Sequence, residues 1–331
     1  MLSLTVVIPV RNEAEHIAEV LDRLLEQHYD SGKFEIIVAD GLSADQTPQI
    51  VAGYVQKYPN VRYFENPKLL ASAARNIGIR NAAGEVILII DGHCIIDSKQ
   101  MLARVSETLE KSGADCLGRP QPLEMTDAAP LQWAVASARR SRLGHHPDSF
   151  IYSDQARFAP ASSVAVAYRK SVFETVGLFD ETFDACEDVE MNTRIDAAGL
   201  KCYFEPAIAV RYVPRKTLKG LAYQMFRYGR GRVRLFRKHR HTFSWSGFAP
   251  GLFVFGVMSG LPLCFVHWIF LWTYFGVCGL YFAAIIAESL RLTIQQKRAD
   301  ILFRLPFVFL AVHFGYGWGI LREWRFALSP R

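Results

Sequence analysis

Acidic residues are missing from a long part of this chain: after Glu205 the next one is Glu288. Inside that gap, Phe248–Ala287 holds no Asp, Glu, Lys or Arg. A solvated domain surface is excluded there, and the stretch, about 40 residues, is long enough for two membrane spans of roughly 20 residues each. Gly260-Leu261-Pro262 is the expected tight turn between them. Paired cysteines are missing too. The six cysteines (94, 116, 186, 202, 264 and 278) include no CxxC pair and no zinc-ligand spacing. This argues against a disulfide framework and a zinc module, and fits reduced thiols facing the cytosol. The opening MLSLTVVIPVRNE lacks the basic start and the long apolar run of a signal peptide, so the N-terminal part is expected to stay in the cytoplasm. It also lacks a Gly-rich phosphate loop, which argues against a soluble nucleotidyltransferase.

Hydrophobic residues make up 50% of the 331-residue chain, and the formal net charge is +6, both unevenly spread. From Arg211 to His241 there are many Arg and Lys and no acids, and the uncharged stretch follows. A basic block leading into an apolar one points to a membrane surface and then the membrane. Nucleic acid would account for the first block but not the second, so no nucleic-acid partner is expected. Glu288–Arg304 is polar and net basic, which fits a return to the cytoplasm. Leu305–Leu321 is a third apolar stretch, interrupted by His313 and several glycines, and either spans or lies as a re-entrant or interfacial segment. A full span would put Arg322 and Arg325 outside, against the positive-inside tendency. The expected organisation is an N-terminal domain over 1–210, a basic interfacial segment over 211–245 and a transmembrane region over 246–331, in a multi-pass protein of the cytoplasmic membrane.

The N-terminal part alternates. Leu4–Val10 reads as a buried strand that Pro9 should end. Ile17, Val20, Leu21, Leu24 and Leu25 repeat at helical spacing. Phe34–Ala39 is a second strand, ending at Asp40-Gly41. Ser43 and Asp45 mark a cap-rich turn, and Thr47-Pro48 opens a helix through Tyr58. Val61–Phe64 is a short strand, Ala71–Ala82 a helix and Val86–Ile90 an apolar, mostly β-branched strand suited to burial on both faces. Strands alternating with helices predict an α/β fold with a doubly wound, mainly parallel sheet and a ligand crevice near Pro9, Asp40, Arg75 and Asp91. The Val86–Ile90 run stops at Asp91-Gly92-His93. A carboxylate and an imidazole there can bind a divalent metal, with Gly92 leaving room for a ligand close to the backbone; a solvated polar turn is the alternative.

Farther on, the region 119–165 is less regular. Arg139, Arg140 and Arg142 precede Leu-Gly-His-His-Pro-Asp at 143–148. That loop-like stretch either closes over a ligand or simply connects. Ser162–Tyr168 reads as a strand, and Arg169–Val176 as a short helix. Glu187-Asp188 opens another helix, in which Val189, Met191, Ile195 and Leu200 can pack inward, or merely caps it.

Four segments carry a resemblance: VVIPVRNE at 6–13, EIIVADGLSADQT at 35–47, ASAARNIGIRNAAGEVILIIDGH at 71–93 and VFETVGLFDETFDACEDVEMNTRIDAAG at 172–199. In this order and spacing they resemble the inverting family 2 glycosyltransferases of GT-A fold, and within them the membrane-bound exopolysaccharide glucosyltransferases of succinoglycan type. The resemblance implies that Pro9, Val10 and Glu13 line a nucleotide pocket. It implies that Asp40 accepts from a uracil N–H, with a turn cap as the alternative, and that Arg75 contacts base or phosphate, with a surface ion pair as the alternative. Asp91 and His93 stand in the DxD position, which implies a divalent cation, Mn²⁺ or Mg²⁺, on the donor phosphates. His93 replaces the usual second carboxylate and suits Mn²⁺ better than Mg²⁺. Asp188 falls where the family has its catalytic base, with Glu187 as the fallback and Glu190 placed to orient the acceptor.

Gln224-Met-Phe-Arg227-Tyr228 resembles the family's QxxRW element, near the acceptor and its diphosphate, with Tyr in place of Trp. Arg227, Arg230, Arg232 and Arg234 also suit anionic lipid headgroups. The function implied is transfer from a nucleotide-sugar donor, most simply a UDP-hexose, to a polyprenyl-diphosphate-linked saccharide among membrane lipids. The alternatives are a polyprenyl-phosphate sugar synthase and a catalytically silent membrane subunit. The few spans argue against a processive synthase, which needs a polymer channel.

Overall fold

The computed structural model describes residues 1–126, 128–144 and 150–326. Most of the loop-like stretch expected either to close over a ligand or simply to connect, residues 145–148, lies outside the described residues. The first elements are β1 (Leu4–Val10), α1 (Ile17–Leu25), β2 (Phe34–Asp40), α2 (Thr47–Lys57), β3 (Val61–Glu65), α3 (Ala71–Asn81) and β4 (Val86–Ile89). Then come β5 (Cys94–Ile95), α4 (Met101–Ser112), β6 (Cys116–Gly118), α5 (Pro130–Arg140), β7 (Arg157–Phe158), α6 (Ala161–Val164), β8 (Ala165–Arg169), α7 (Lys170–Val176), α8 (Glu187–Ala197), β9 (Cys202–Phe204) and β10 (Arg211–Tyr212). Four long helices follow: α9 (Leu218–Lys238), α10 (Trp245–Leu263), α11 (Trp268–Gln296) and α12 (Leu305–Phe326). Two compact units result. One comprises Met1–Leu123 with Asp148–Val213, the other Glu124–Pro147 with Pro214–Arg331. Residues 124–147 therefore group with the long helices and not with 1–123.

The first unit is built on a sheet of order β3-β2-β1-β4-β8-β6-β9-β7. β3, β2, β1 and β4 run parallel. β8 is antiparallel to β4 and β6 and makes the sheet mixed. Both-face burial explains the apolar runs: Val6, Val7, Ile8, Ile36, Ile37, Ile87 and Leu88 are fully buried. Pro9 does not end β1. Pairing with β4 stops at Val7↔Ile89, so the residue without an N–H sits beyond the last rung on that side. On α1, Ile17, Val20, Leu21 and Leu24 form the buried stripe. At about 1.5–3 kcal/mol each, that stripe contributes roughly 6–12 kcal/mol, an upper bound. Truncating Leu21 to Ala is expected to cost about 2–5 kcal/mol. The expected strand over 162–168 begins instead as the helical turn α6, whose first two amides donate to the Asp196 carboxylate, and becomes extended only at Ala165.

In the second unit, the less regular region 119–165 contains α5, opened by Pro130 and buried through Ala134, Val135 and Ala138. Among the described residues, α10, α11 and α12 are long and apolar enough to cross a membrane. Gly260-Leu261-Pro262 lies in the last turn of α10, so the break comes after it, at 264–267. The glycines of the third apolar stretch mark a contact seam. A Cβ at Gly315 or Gly319 of α12 would collide with the Ala222 or Phe226 carbonyl of α9, and one at Gly229 of α9 with the Tyr316 carbonyl of α12. Small residues at such spacing let two helix backbones approach closely. The same pair of helices shares a charge cluster. Glu323 of α12 is buried, accepts from Arg230 and Arg234 at 2.9 Å each, and lies 3.8 Å from Arg237. Arg230 and Arg234, read above as headgroup ligands, thus have an internal carboxylate partner.

Candidate active site

The site lies within the first unit, at the carboxyl ends of β1, β2 and β4 and the start of α8. Polar side chains stitch the loops after β1 and β2 together. The Asn12 amide donates to Ser43 Oγ, the Ala44 amide to Asn12 Oδ1, and the Ala14 amide to Asp45. Backbone strain is collected at this rim. Asn12, Leu42, Leu69 and Cys186 all have positive φ, between 51° and 62°, although none is glycine.

Pro9 is half-buried and Val10 buried at the end of β1. Gly92 proves to be needed for packing. A Cβ there would meet Val10 Cγ1 at 2.8 Å and Glu13 Cγ at 3.3 Å, so the expected room for a ligand is filled by the end of β1. Asp40 is 1% exposed. Its carboxylate accepts from Tyr63 Oη at 3.0 Å, from the Ser43 amide at 3.1 Å and from the Ser43 hydroxyl. The two from Ser43 are the bonds of a turn cap.

Arg75, on α3, is buried and links the two acidic parts of the site. Its guanidinium donates to Glu187 Oε1 at 2.9 Å, lies 3.8 Å from Asp91 Oδ1 and stacks over Phe179. Nε of Arg75 has no partner among the described residues. Burial works against this charge, but Glu187, Asp91 and Asp188 together outweigh it and keep the guanidinium protonated. For Asp91 burial pushes the pKa up, while Arg75, His93 and the Tyr212 hydroxyl bring it net below the usual carboxylate range. For Glu187 burial prevails, helped by Asp188, and the pKa is raised despite Arg75.

Asp91 Oδ2 accepts from Tyr212 Oη at 2.8 Å. His93 Nδ1 stands 2.9 Å from Glu13 Oε1, and its ring meets the Tyr212 ring edge-on at 6.0 Å. At the start of α8, Glu187 is buried while Asp188 is exposed, with Oδ1 accepting from the Val189 amide. Of the inward-packing residues expected there, Met191 and Ile195 are fully buried and Val189 and Leu200 partly so. Glu190 is fully buried against Arg194, so it has a structural partner and no access to an acceptor.

Two residues here escaped the sequence reading. Tyr212 is 121 positions from Asp91. Arg119 is 2% exposed; its Nε and Nη1 have no partner among the described residues, and its charge helps hold Asp91 ionised. In the sequence Arg119 is one charge between Gly118 and Pro120 just after β6, and nothing there marks it.

No group of three or more His, Cys, Asp or Glu among the described residues is poised to hold a metal. The donor set of Asp91 and His93, one oxygen and one imidazole, still suits an ion such as Mn²⁺. Asp91 Oδ1 is the oxygen not taken by the tyrosine. In the second unit, Gln224 Nε2 donates to Tyr228 Oη at 3.2 Å one turn along α9, and Arg227 is exposed on the same helix.

Comparison with known proteins gives a consistent picture. The model of "Glycosyl transferase family 2" matches residues 5–177, and that of "Glycosyl transferase family group 2" matches 132–287. The succinoglycan biosynthesis protein ExoA of Rhizobium meliloti (strain 1021) is 30% identical over 265 residues, 80% of this chain and 78% of that protein. A Methanococcus voltae protein is 24% identical over 330 residues, 96% of each chain. It is named as a dolichyl N-acetyl-alpha-D-glucosaminyl phosphate 3-beta-D-2,3-diacetamido-2,3-dideoxy-beta-D-glucuronosyltransferase. Among solved structures, a mannosyltransferase from Pyrobaculum calidifontis, in complex with GDP-Man and Mn²⁺, superposes with TM-score 0.58 at 19% identity, covering 96% of this chain and 87% of that one.

Proposed function

The chain belongs to glycosyl transferase family 2, and on that premise we propose that it transfers a hexose, from a UDP-linked donor, with inversion, to a lipid-linked saccharide at the cytoplasmic face of the membrane. The observation that carries this reading is Arg75, which joins the buried Glu187 to Asp91 while Asp188 beside it stays open to solvent. A base for inversion must reach the acceptor hydroxyl, and Asp188 is the acid of this group with that access. In the reaction Asp188 accepts the acceptor's hydroxyl proton as that oxygen attacks the anomeric carbon. The bond from that carbon to the diphosphate breaks, and its electron pair leaves with the nucleotide. Asp91 and His93 would hold the divalent cation, which when bound neutralises the growing charge of the diphosphate. Glu187 anchors Arg75, and Arg75 keeps Asp91 ionised.

The relatives support the acceptor class. One is named for succinoglycan biosynthesis and another for a dolichyl-linked sugar. The three helices long enough to span, and the basic α9 before them, support a membrane setting. Gln224, Arg227 and Tyr228 are proposed for the acceptor diphosphate. The test offers labelled donor to the full chain in lipid nanodiscs with either bare polyprenyl phosphate or a polyprenyl-diphosphate saccharide, and reads anomeric configuration by NMR. Labelling of the saccharide with inversion is expected. Labelling of the bare phosphate alone would make the protein a polyprenyl-phosphate sugar synthase, and retention would remove Asp188 as the inverting base.

A further inference from the structure

The hydroxyl of Tyr212 fixes Asp91 Oδ2 at 2.8 Å, while the Arg75 guanidinium stands 3.8 Å from Oδ1, beyond hydrogen-bond reach. The same tyrosine ring packs edge-on against His93. One side chain therefore touches both members of the Asp-x-His pair. Its backbone is held from two sides. Tyr212 pairs with Cys94 and Arg211 with Ile95. The Tyr212 amide donates to the Pro122 carbonyl at 3.0 Å, and Tyr212 bridges Leu123. Arg211 Nε donates to Asp97 Oδ2 at 2.6 Å. A two-residue ribbon has little stability of its own, so these contacts are what keep it in place. Leu123 and Val213 are the residues after which the chain leaves the first unit. Both exits are thus fastened together at the residue that holds Asp91.

We propose that Tyr212 is a positioning residue for the cation-binding carboxylate, and that residues 122–123 and 211–212 form a strap that sets where Asp91 stands. This rests on the reading of Asp91 and His93 as the cation pair. A hydrogen bond to a ligating carboxylate orients it, and loss of such a partner typically weakens metal binding. Tyr212→Phe removes only the hydroxyl and keeps the ring against His93. Loosening the strap at Asp97 leaves every atom of the Asp91 contact in place.

The experiment titrates Mn²⁺ into the full chain in nanodiscs with UDP present, read by electron paramagnetic resonance, for wild type, Tyr212→Phe and Asp97→Asn. UDP affinity in chelator is measured in parallel. Tyr212→Phe is expected to weaken Mn²⁺ binding about 10–100-fold with metal-free UDP affinity unchanged. Asp97→Asn is expected to shift it the same way by less. Mn²⁺ affinity of Tyr212→Phe within about twofold of wild type would overturn the positioning role, well outside the expected loss. An unchanged Asp97→Asn would overturn the strap, and an equal loss of metal-free UDP binding would make Tyr212 a merely structural residue. A wild type that binds no Mn²⁺ would sink the cation reading itself, a separate failure.

Discussion

In the sheet unit Val6, Ile37 and Ile87 are wholly buried, whereas in the helical unit Phe265, Phe303 and Leu280 stand 89%, 80% and 75% exposed. The burial of charge differs as well. The sheet unit keeps Arg75, Glu187 and Arg119 inside, beside a site. The helical unit buries Glu323 among arginines that its own α9 supplies. Glycines are also used differently. Gly113, Gly177 and Gly199 give the sheet unit left-handed turns, while Gly229, Gly315 and Gly319 let α9 and α12 touch backbone to backbone. The same residue types thus serve a buried sheet core in one unit and, in the other, a bundle of helices long and apolar enough to cross a membrane. Buried charge lies beside the candidate site in the first and between α9 and α12 in the second.

That contrast can be broken by mutation. The largest effect is expected from Asp188→Asn: transfer falls about 10²–10⁴-fold, the usual worth of a general base, with UDP affinity kept. A variant that loses binding and rate together would make Asp188 a scaffold residue. Next comes Glu323→Gln, which leaves α9 arginines facing a neutral amide. A loss of about 3 kcal/mol is expected, the low end for a broken buried pair because the arginines keep some solvent. It should show in thermal unfolding of the membrane-embedded protein, with UDP binding intact; loss of UDP binding would end the division of labour between the units.

Glu35→Gln acts within the sheet unit alone. Burial alone would raise the Glu35 pKa, but bonds from the Ala83 amide, Arg62 and Thr5 bring it net below the ordinary value. Its stabilisation is therefore present above the ordinary glutamate pKa and lost as pH falls through the lowered one. Expected is a deficit of roughly 1–2 kcal/mol at pH 7 that closes in acid, measured by denaturant unfolding across pH. A gap independent of pH would deny the charge any part. The smallest effect belongs to Cys186→Gly at the start of α8. Relief of a positive φ should raise stability by about 0.5–1 kcal/mol, partly offset by the added freedom of glycine in the unfolded chain. A loss would mean that the Cys186 side chain has contacts worth more than the strain.

Much of the sheet unit was legible because its signals are local. The runs at 4–10, 34–40 and 86–89 and the stripe of α1 are set by neighbours a few residues away. The five-residue run through Ile90 was readable; the two-residue strands β5, β7 and β10 were not, because only distant partners make them strands. The same limit hid Tyr212. Asp91, His93 and Glu187 were singled out by motif, but the Arg75 bridge between them needed the fold. Asp40 stands out in the sequence as a candidate base ligand, and Ser43, three residues along, marks the turn that it also caps. In the helical unit the glycines of 315–319 look like interruptions until α9 lies against them, and α5 is lost in an irregular region until its alanines are buried.

The central claim is metal-dependent sugar transfer with Asp188 as base. Its most direct test is release of nucleoside diphosphate from a panel headed by UDP-glucose. The full chain in nanodiscs is given lipid-diphosphate saccharide and Mn²⁺, with a chelator control and Asp188→Asn alongside. Release from one donor that needs both cation and acceptor, and that disappears in a mutant still binding UDP, is the expected result. Release at the wild-type rate by Asp188→Asn would contradict it, and absence of UDP binding by the wild type would contradict the donor site as a whole.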